Sequence, residues 1–320
     1  MLSLNSFSLG RRSAATAVVS TAYGRLRYAI AERRRGEALR VLAWGDEVYR
    51  DALDLQQVLR RAGVAGKRQN ILLLTGADYH LAQLDAPDVP EAELAQALRW
   101  KVKDLIDFPV EEAVVEAMPL PPAPGTQARA RIAHAVVARS SHLAEQVGVC
   151  DRARFAVSVI DIPETAQRNL AGLCQPGQTG ALALLHIGSA GGMITISAEG
   201  ELYLSRRFDL PANASSGGPT SELCEGVLLE VQRSLDSFER RFSFLSLSGL
   251  HLAAGASSET LAAYLLEHLG MQVSVQDLTR MLRFEGCALP NLSQQAELFH
   301  LFGAILRDLP DNVASAVEPH

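Results

Sequence analysis

ALALLHIGSAGGMITISAEGELYLSRRF, residues 181–208, is the stretch on which the fold turns. Ala181 to Ile187 is an apolar run of strand length, Gly188 to Gly192 is a glycine-rich turn, and Met193 to Ser197 returns as a second strand. Leu202 to Phe208 follows as a third. The same order occurs once more near the start of the chain. Ala17 to Ser20 and Leu26 to Ile30 flank a turn at Ala22-Tyr23-Gly24, and Val41 to Ala43 supplies a third short strand. Two matching units, at 17–43 and 181–208, predict a duplicated three-strand-plus-helix motif and hence two lobes, which suits a chain of 320 residues.

The segments between and after these units alternate helix and strand patterns. Asp51 to Ala62 is predicted helical, with Leu53, Leu55, Val58 and Leu59 as its apolar stripe and Gly63 at its C-terminal cap. Ile71 to Thr75 reads as a buried strand. Pro90 opens a helix over Glu91 to Ile106, striped by Leu94, Leu98, Val102, Leu105 and Ile106 and ended by Pro109. Strands are predicted at Ala113 to Met118, Ile132 to Ala138 and Phe155 to Ile160, and helices at Ser141 to Gly148 and Pro163 to Cys174. Gln175-Pro176-Gly177-Gln178 marks the boundary between lobes. Beyond it come a long amphipathic helix at Glu222 to Phe242, a strand at Leu250 to Ala253, and a helix at Glu259 to Leu269. A strand at Gln272 to Val275 and a helix at Ala296 to Arg307 complete the second lobe.

Composition narrows the function classes. A net charge of −6 and a pI near 5.8 provide no basic field for nucleic acid. The four cysteines are far apart and form no C-x-x-C pair, so neither a zinc site nor a disulfide framework is expected. No metal site is expected from the histidines either, which lack H-x-x-x-H spacing. No apolar run reaches the ~20 residues of a membrane helix, and the first residues lack the pattern of a signal peptide, so the expected location is the cytoplasm. No P-loop, G-x-G-x-x-G or G-x-S-x-G motif occurs, and no catalytic residue is assigned.

Three stretches carry a resemblance to a known family. Leu98 to Glu112, reading LRWKVKDLIDFPVEE, looks like the helix-and-turn segment of PilM-type pilus assembly proteins, especially the MshI proteins of the mannose-sensitive haemagglutinin pilus. Glu201 to Arg207 resembles the strand after the second phosphate hairpin, and Glu230 to Glu239 resembles the family's E-x-Q-R-S-L-D-Y-F-E helix. The resemblance implies an actin-like ATPase (ribonuclease H-like) fold of the FtsA/PilM type with a small inserted subdomain. The implied division is a leader at 1–13, a first lobe at 14–80 plus 155–178, and an inserted subdomain at 81–154. A reduced second lobe at 179–310 and a tail at 311–320 complete it.

Such folds hold ATP between two glycine-turned hairpins, each carrying an aspartate, with a strand-to-helix turn against the adenosine. The matching positions here are Gly24, His186, Gly188, Gly255 and Ser257. The first hairpin has no acidic residue, and His186 stands where the family's D-I-G places Asp, so the resemblance implies a degenerate nucleotide site and a pseudo-ATPase. ATP or ADP is the one cofactor left open. Read from the residues alone, His186 is a histidine at the end of a buried strand bonded to backbone. The implied role is that of a scaffold recruited to the inner membrane through the cytoplasmic tail of a PilN-like bitopic protein. It would also touch motor and platform components and associate with other copies of itself. The tail-binding residues implied are Arg99, Trp100, Lys103, Phe108 and Pro109, whose plain reading is a helix anchor beside a solvated basic face. Two alternatives stay open: a nucleotide-gated ATPase switch whose carboxylate comes from Asp46 or Asp161, and a GspL-like component of type II secretion.

Overall fold

The computed structural model describes residues 14–22, 24–33, 38–64, 69–122, 131–174, 180–210 and 220–307. The predicted leader, the tail and the boundary segment Gln175 to Gln178 lie outside them, as does Tyr23 at the first turn.

The first sheet begins with the predicted hairpin, β1 (Ala14–Ala22) and β2 (Arg25–Arg33), joined antiparallel with Ala22 opposite Arg25. Gly24 makes the reversal at φ +71°, where a Cβ would be strained. β3 (Arg40–Val48) pairs with β2, α1 (Ala52–Arg61) follows under an Asp51 cap, and β4 (Gln69–Leu73) lies parallel to β1. Leu55, Val58 and Leu59 are the buried stripe of α1, whereas Leu53, expected with them, is 64% exposed. At 100° per residue it stands almost opposite Leu55.

An excursion then builds a three-stranded sheet of β5 (His80–Ala86), β6 (Ala113–Pro119) and β7 (Arg131–Arg139), in the order β5-β7-β6. One face is covered by α2 (Glu91–Lys101), through Leu94 and Leu98 with Val102 just beyond. This helix ends five residues short of the expected Ile106. Its last turn tightens into a 3-10 turn at Lys103–Leu105, which leaves Leu105 half exposed and outside the stripe. β5 was not expected from the sequence.

The chain returns through α3 (Ser140–Arg152) to β8 (Val159–Asp161), shorter than the strand expected from Phe155, and then α4 (Pro163–Cys174). The second sheet holds β9 (Ala181–Gly188), β10 (Gly191–Ala198), β11 (Glu201–Phe208), β12 (Leu247–Ala253) and β13 (Val273–Gln276). Its order is β11-β10-β9-β12-β13. α5 (Ser221–Arg241) and α6 (Ser258–Leu269) cover its outer face.

The chain then goes back to the first sheet. After α7 (Leu278–Met281), β14 (Arg283–Phe284) pairs parallel with β3, giving the first sheet the order β14-β3-β2-β1-β4-β8. α8 (Leu292–Ala304) starts four residues before the expected Ala296, under an Asn291/Gln294 capping box, and ends at Ala304. It lies beside α4 between the two sheets, in a core shared by Val18, Ile71, Leu170, Leu184, Phe299 and Phe302. The result is five layers: α1 and α3, first sheet, α4 and α8, second sheet, α5 and α6. Burial on both faces explains the apolar run of β9. Leu182 and Leu184 point to the helices between the sheets, while Ala181, Ala183 and Leu185 point to α5 and α6.

Candidate functional site

The two hairpins face each other across α8. His186, the last fully buried residue of β9, donates Nε2–H to the carbonyl of Ala296 at 2.7 Å. Its ring stacks on Phe299 at 5.1 Å and meets His300 edge-on at 4.5 Å. His300 in turn donates to Oε1 of Gln167 on α4 at 3.0 Å. Burial holds both imidazoles below their ordinary pKa, His300 well below, so both are neutral rings. The backbone-bonded histidine read from the residues is what the structure contains.

One residue further along α8, Glu297 joins the hairpins. Arg27 on β2 donates to its Oε2 at 2.6 Å, and Ser189, in the turn after Gly188, donates to the same oxygen at 3.0 Å. Arg27 also pairs with Asp46 at 3.3 Å, so Asp46 is held by Arg25 and Arg27 at the rim. The β12–α6 turn reaches the same helix, since a Cβ on Gly255 would lie 3.6 Å from that of Ala296. Ser258 closes this turn by bonding the Gly255 carbonyl at 2.9 Å, and Ser257 stands at the α6 cap with no side-chain cap bond.

The structure therefore gathers His186, Gly188 and Gly255 around the first turns of α8. Gly24 is set apart at its own turn, where its carbonyl accepts from Tyr49 N at 2.8 Å. Asp161 is elsewhere. It accepts from Ile162 N at 2.9 Å, from Thr165 and from Arg307 at 3.1 Å, and is 3% exposed. Arg27, Glu297 and Ser189 were not foreseen, because an isolated Arg, Glu and Ser in ordinary strand, helix and turn patterns give no signal of meeting.

This plan is a hairpin, a third strand, helix-linked strands, and then the same again, with two helices between the sheets and the hairpin turns opposed. The chain has the actin-like ATPase fold. No protein-family model matches the sequence, and no curated protein matches it, so the likeness is one of three-dimensional structure. A solved PilM-PilN type IV pilus biogenesis complex is similar at 18% identity and TM-score 0.66, over 92% of this chain and 97% of that one. The cytoplasmic domain of EpsL, an inner-membrane component of the Vibrio cholerae type II secretion system, is similar at 15% identity and TM-score 0.51, over 93% and 97%. Among the described residues no helix is long and apolar enough to cross a membrane, and no His, Cys, Asp or Glu cluster could hold a metal ion.

The expected tail-binding residues gather at the end of α2, in different environments. Arg99 is engaged internally, donating to the carbonyls of Val110 at 2.9 Å and Glu111 at 2.7 Å, which ties α2 to the turn before β6. Phe108 is half-buried under the Arg139 guanidinium, 4.7 Å from the ring centre. Trp100 is 69% exposed, and Lys103 and Pro109 are exposed.

Proposed function

We propose that this chain is a PilM-like scaffold of type IV pilus assembly, of the MshI kind, which works at the cytoplasmic face of the inner membrane. It binds the cytoplasmic tail of a PilN-like membrane protein and links it to motor and platform components, with association between copies as part of the same role. The observation that carries the reading is the likeness to the solved PilM-PilN complex over nearly the full length of both chains. Trp100 supports the position of the tail site. An indole left 69% in water on a helix that already has a buried stripe contributes little to the fold and much to a docking surface.

The scaffold works without ATP hydrolysis. That part rests on His186 in place of an acidic residue and on Glu297, whose carboxylate sits between the two hairpins and bonds to both. A phosphate group entering there would meet a negative charge already satisfied by Arg27 and Ser189. The likeness to EpsL favours one second reading, a GspL-like part in type II secretion.

The test is a titration of the full chain with a fluorescent peptide copying the cytoplasmic tail of a PilN-like protein, alongside Mg-ATP. Peptide binding that weakens about tenfold in Trp100→Ala, with no ATP turnover, supports the scaffold. Turnover of Mg-ATP would overturn the pseudo-ATPase reading, and binding of a GspL-partner peptide in place of the PilN-like one would favour secretion.

A further inference from the structure

β6 is an edge strand, and its free edge is acidic. In the order β5-β7-β6 it pairs, among the described residues, on one side only, with β7. Leu120 N donates to Ile132 O at 2.8 Å, which fixes the bonding phase of the ladder. Stepping back by twos, Met118, Glu116 and Val114 are the residues that exchange bonds with β7, so the N–H and C=O groups of Val115 and Ala117 point away from it. Pro119 fits this phase, having no N–H to leave unpaired on the outer side. Among the described residues, nothing bonds the outward groups of Val115 and Ala117.

The surroundings of this edge have one sign. From Val102 to Met118 the chain has five carboxylates, Asp104, Asp107, Glu111, Glu112 and Glu116, against the single cation Lys103. All five are exposed, and among the described residues none is in an ion pair. The nearest arginines are occupied, Arg99 by two carbonyls and Arg139 by the Phe108 ring. Val114 adds apolar surface on the strand itself at 46% exposure.

We propose that β6 accepts a basic, extended peptide segment as a fourth strand of the inserted sheet. Main-chain bonds to Val115 and Ala117 supply the register, and lysines or arginines at alternate positions meet the carboxylates. The inference deepens the scaffold reading and rests on it, because it gives the tail a chemistry. Cytoplasmic segments next to a membrane helix are enriched in Lys and Arg, so a membrane protein's tail is the class of partner whose charge complements this edge.

The experiment uses the full chain and three synthetic peptides. The first alternates Lys with Val, the second replaces each Lys by Glu, and the third is the Lys peptide with every backbone nitrogen methylated, which leaves no N–H on either edge. The expected result is binding of the first alone, weakening as salt rises, and a loss of about tenfold in Val115→Pro. That substitution removes an outward N–H and no β7 bond, and thermal melting checks that it folds. Because the methylated peptide needs no protein variant, the test survives a Val115→Pro chain that fails to fold. Equal binding of the methylated peptide, or none by the Lys peptide, would overturn strand addition and leave the carboxylates as a guard against edge-to-edge aggregation. If the PilN-like tail binds and is indifferent to methylation and to Val115→Pro, the scaffold stands and strand addition falls. If only the Lys-Val peptide binds, the reverse holds.

Discussion

His186 and His134 are two buried histidines doing the same work in different places, each donating Nε2–H to a backbone carbonyl, which for His186 is that of Ala296 in α8. His134, on β7, bonds the carbonyl of Leu202 at 2.8 Å, and Gln83 beside it bonds that of Tyr203 at 2.7 Å. β11 is the edge strand of its sheet and carries a bulge there, with Ile196 opposite Leu204 and Ser197 opposite Leu202, so Tyr203 is an extra residue. Burial pushes His134 down to about 4 from the ordinary 6.5. In the unfolded chain it takes up a proton first, so its stabilising share is complete above pH 6.5 and is lost as pH falls toward 4. The full gap is worth on the order of 3 kcal/mol, and His186 and His300 shift in the same direction. Denaturant titration at pH 7 and pH 5 should show the protein less stable at pH 5 by about 2 kcal/mol or more, and His134→Gln should flatten that slope. A pH-independent midpoint would contradict the neutral, buried ring.

At the scale of elements, the closest helix contact in the layer between the sheets is α4 against α8. Gly303 makes it possible, because a Cβ at that position would run into the backbone carbonyl of Ala166, and Asn169 seals it by donating to Gly303 O at 3.1 Å. Gly303→Ala improves helix propensity and should still destabilise the protein by about 1–3 kcal/mol, read from the denaturation midpoint, because backbone has to move. Much of this level was legible in the sequence. The duplicated hairpins, α4 to α6 and the cover of α2 over Leu94, Leu98 and Val102 follow from apolar period and turn chemistry. β5 was not legible, since HLAQLDA is half-buried apart from exposed His80 and Asp85 and offers neither alternation nor a buried run. β14 is two residues long and exists only because β3 is there to receive it. The start of α8 is legible in Asn291 and Gln294, whose spacing is that of a capping box ahead of the apolar run. The site was legible at His186, Gly188 and Gly255, whose types and spacing are set by the hairpin and turn. It was not legible at Glu297, which acquires its meaning from residues 270 and 108 positions away.

Across the whole molecule, the lobes are held together by side chains that span them at more than one place. Arg207 on β11 reaches Glu164 on α4 at 2.8 Å, donates to the Tyr79 hydroxyl and lies over its ring at 5.0 Å, while Tyr79 donates to Glu164. Glu164 is 2% exposed. Arg207→Met should therefore cost about 3 kcal/mol or more by leaving a buried carboxylate without its cation, and the double variant with Glu164→Gln should recover part of it. Additive losses from the two changes would show that the pair is not coupled. The route of the chain has a further consequence. β14 closes the edge of a sheet begun at residue 14, and α8 fills the core beneath it, so the first lobe waits for residues near 284 to 304 before it can finish. On the ribosome, the amino-terminal half emerges with an open sheet edge and an uncovered apolar floor for the whole time the second lobe is being made, and it is in that interval that the nascent chain is most open to pairing with the wrong partner.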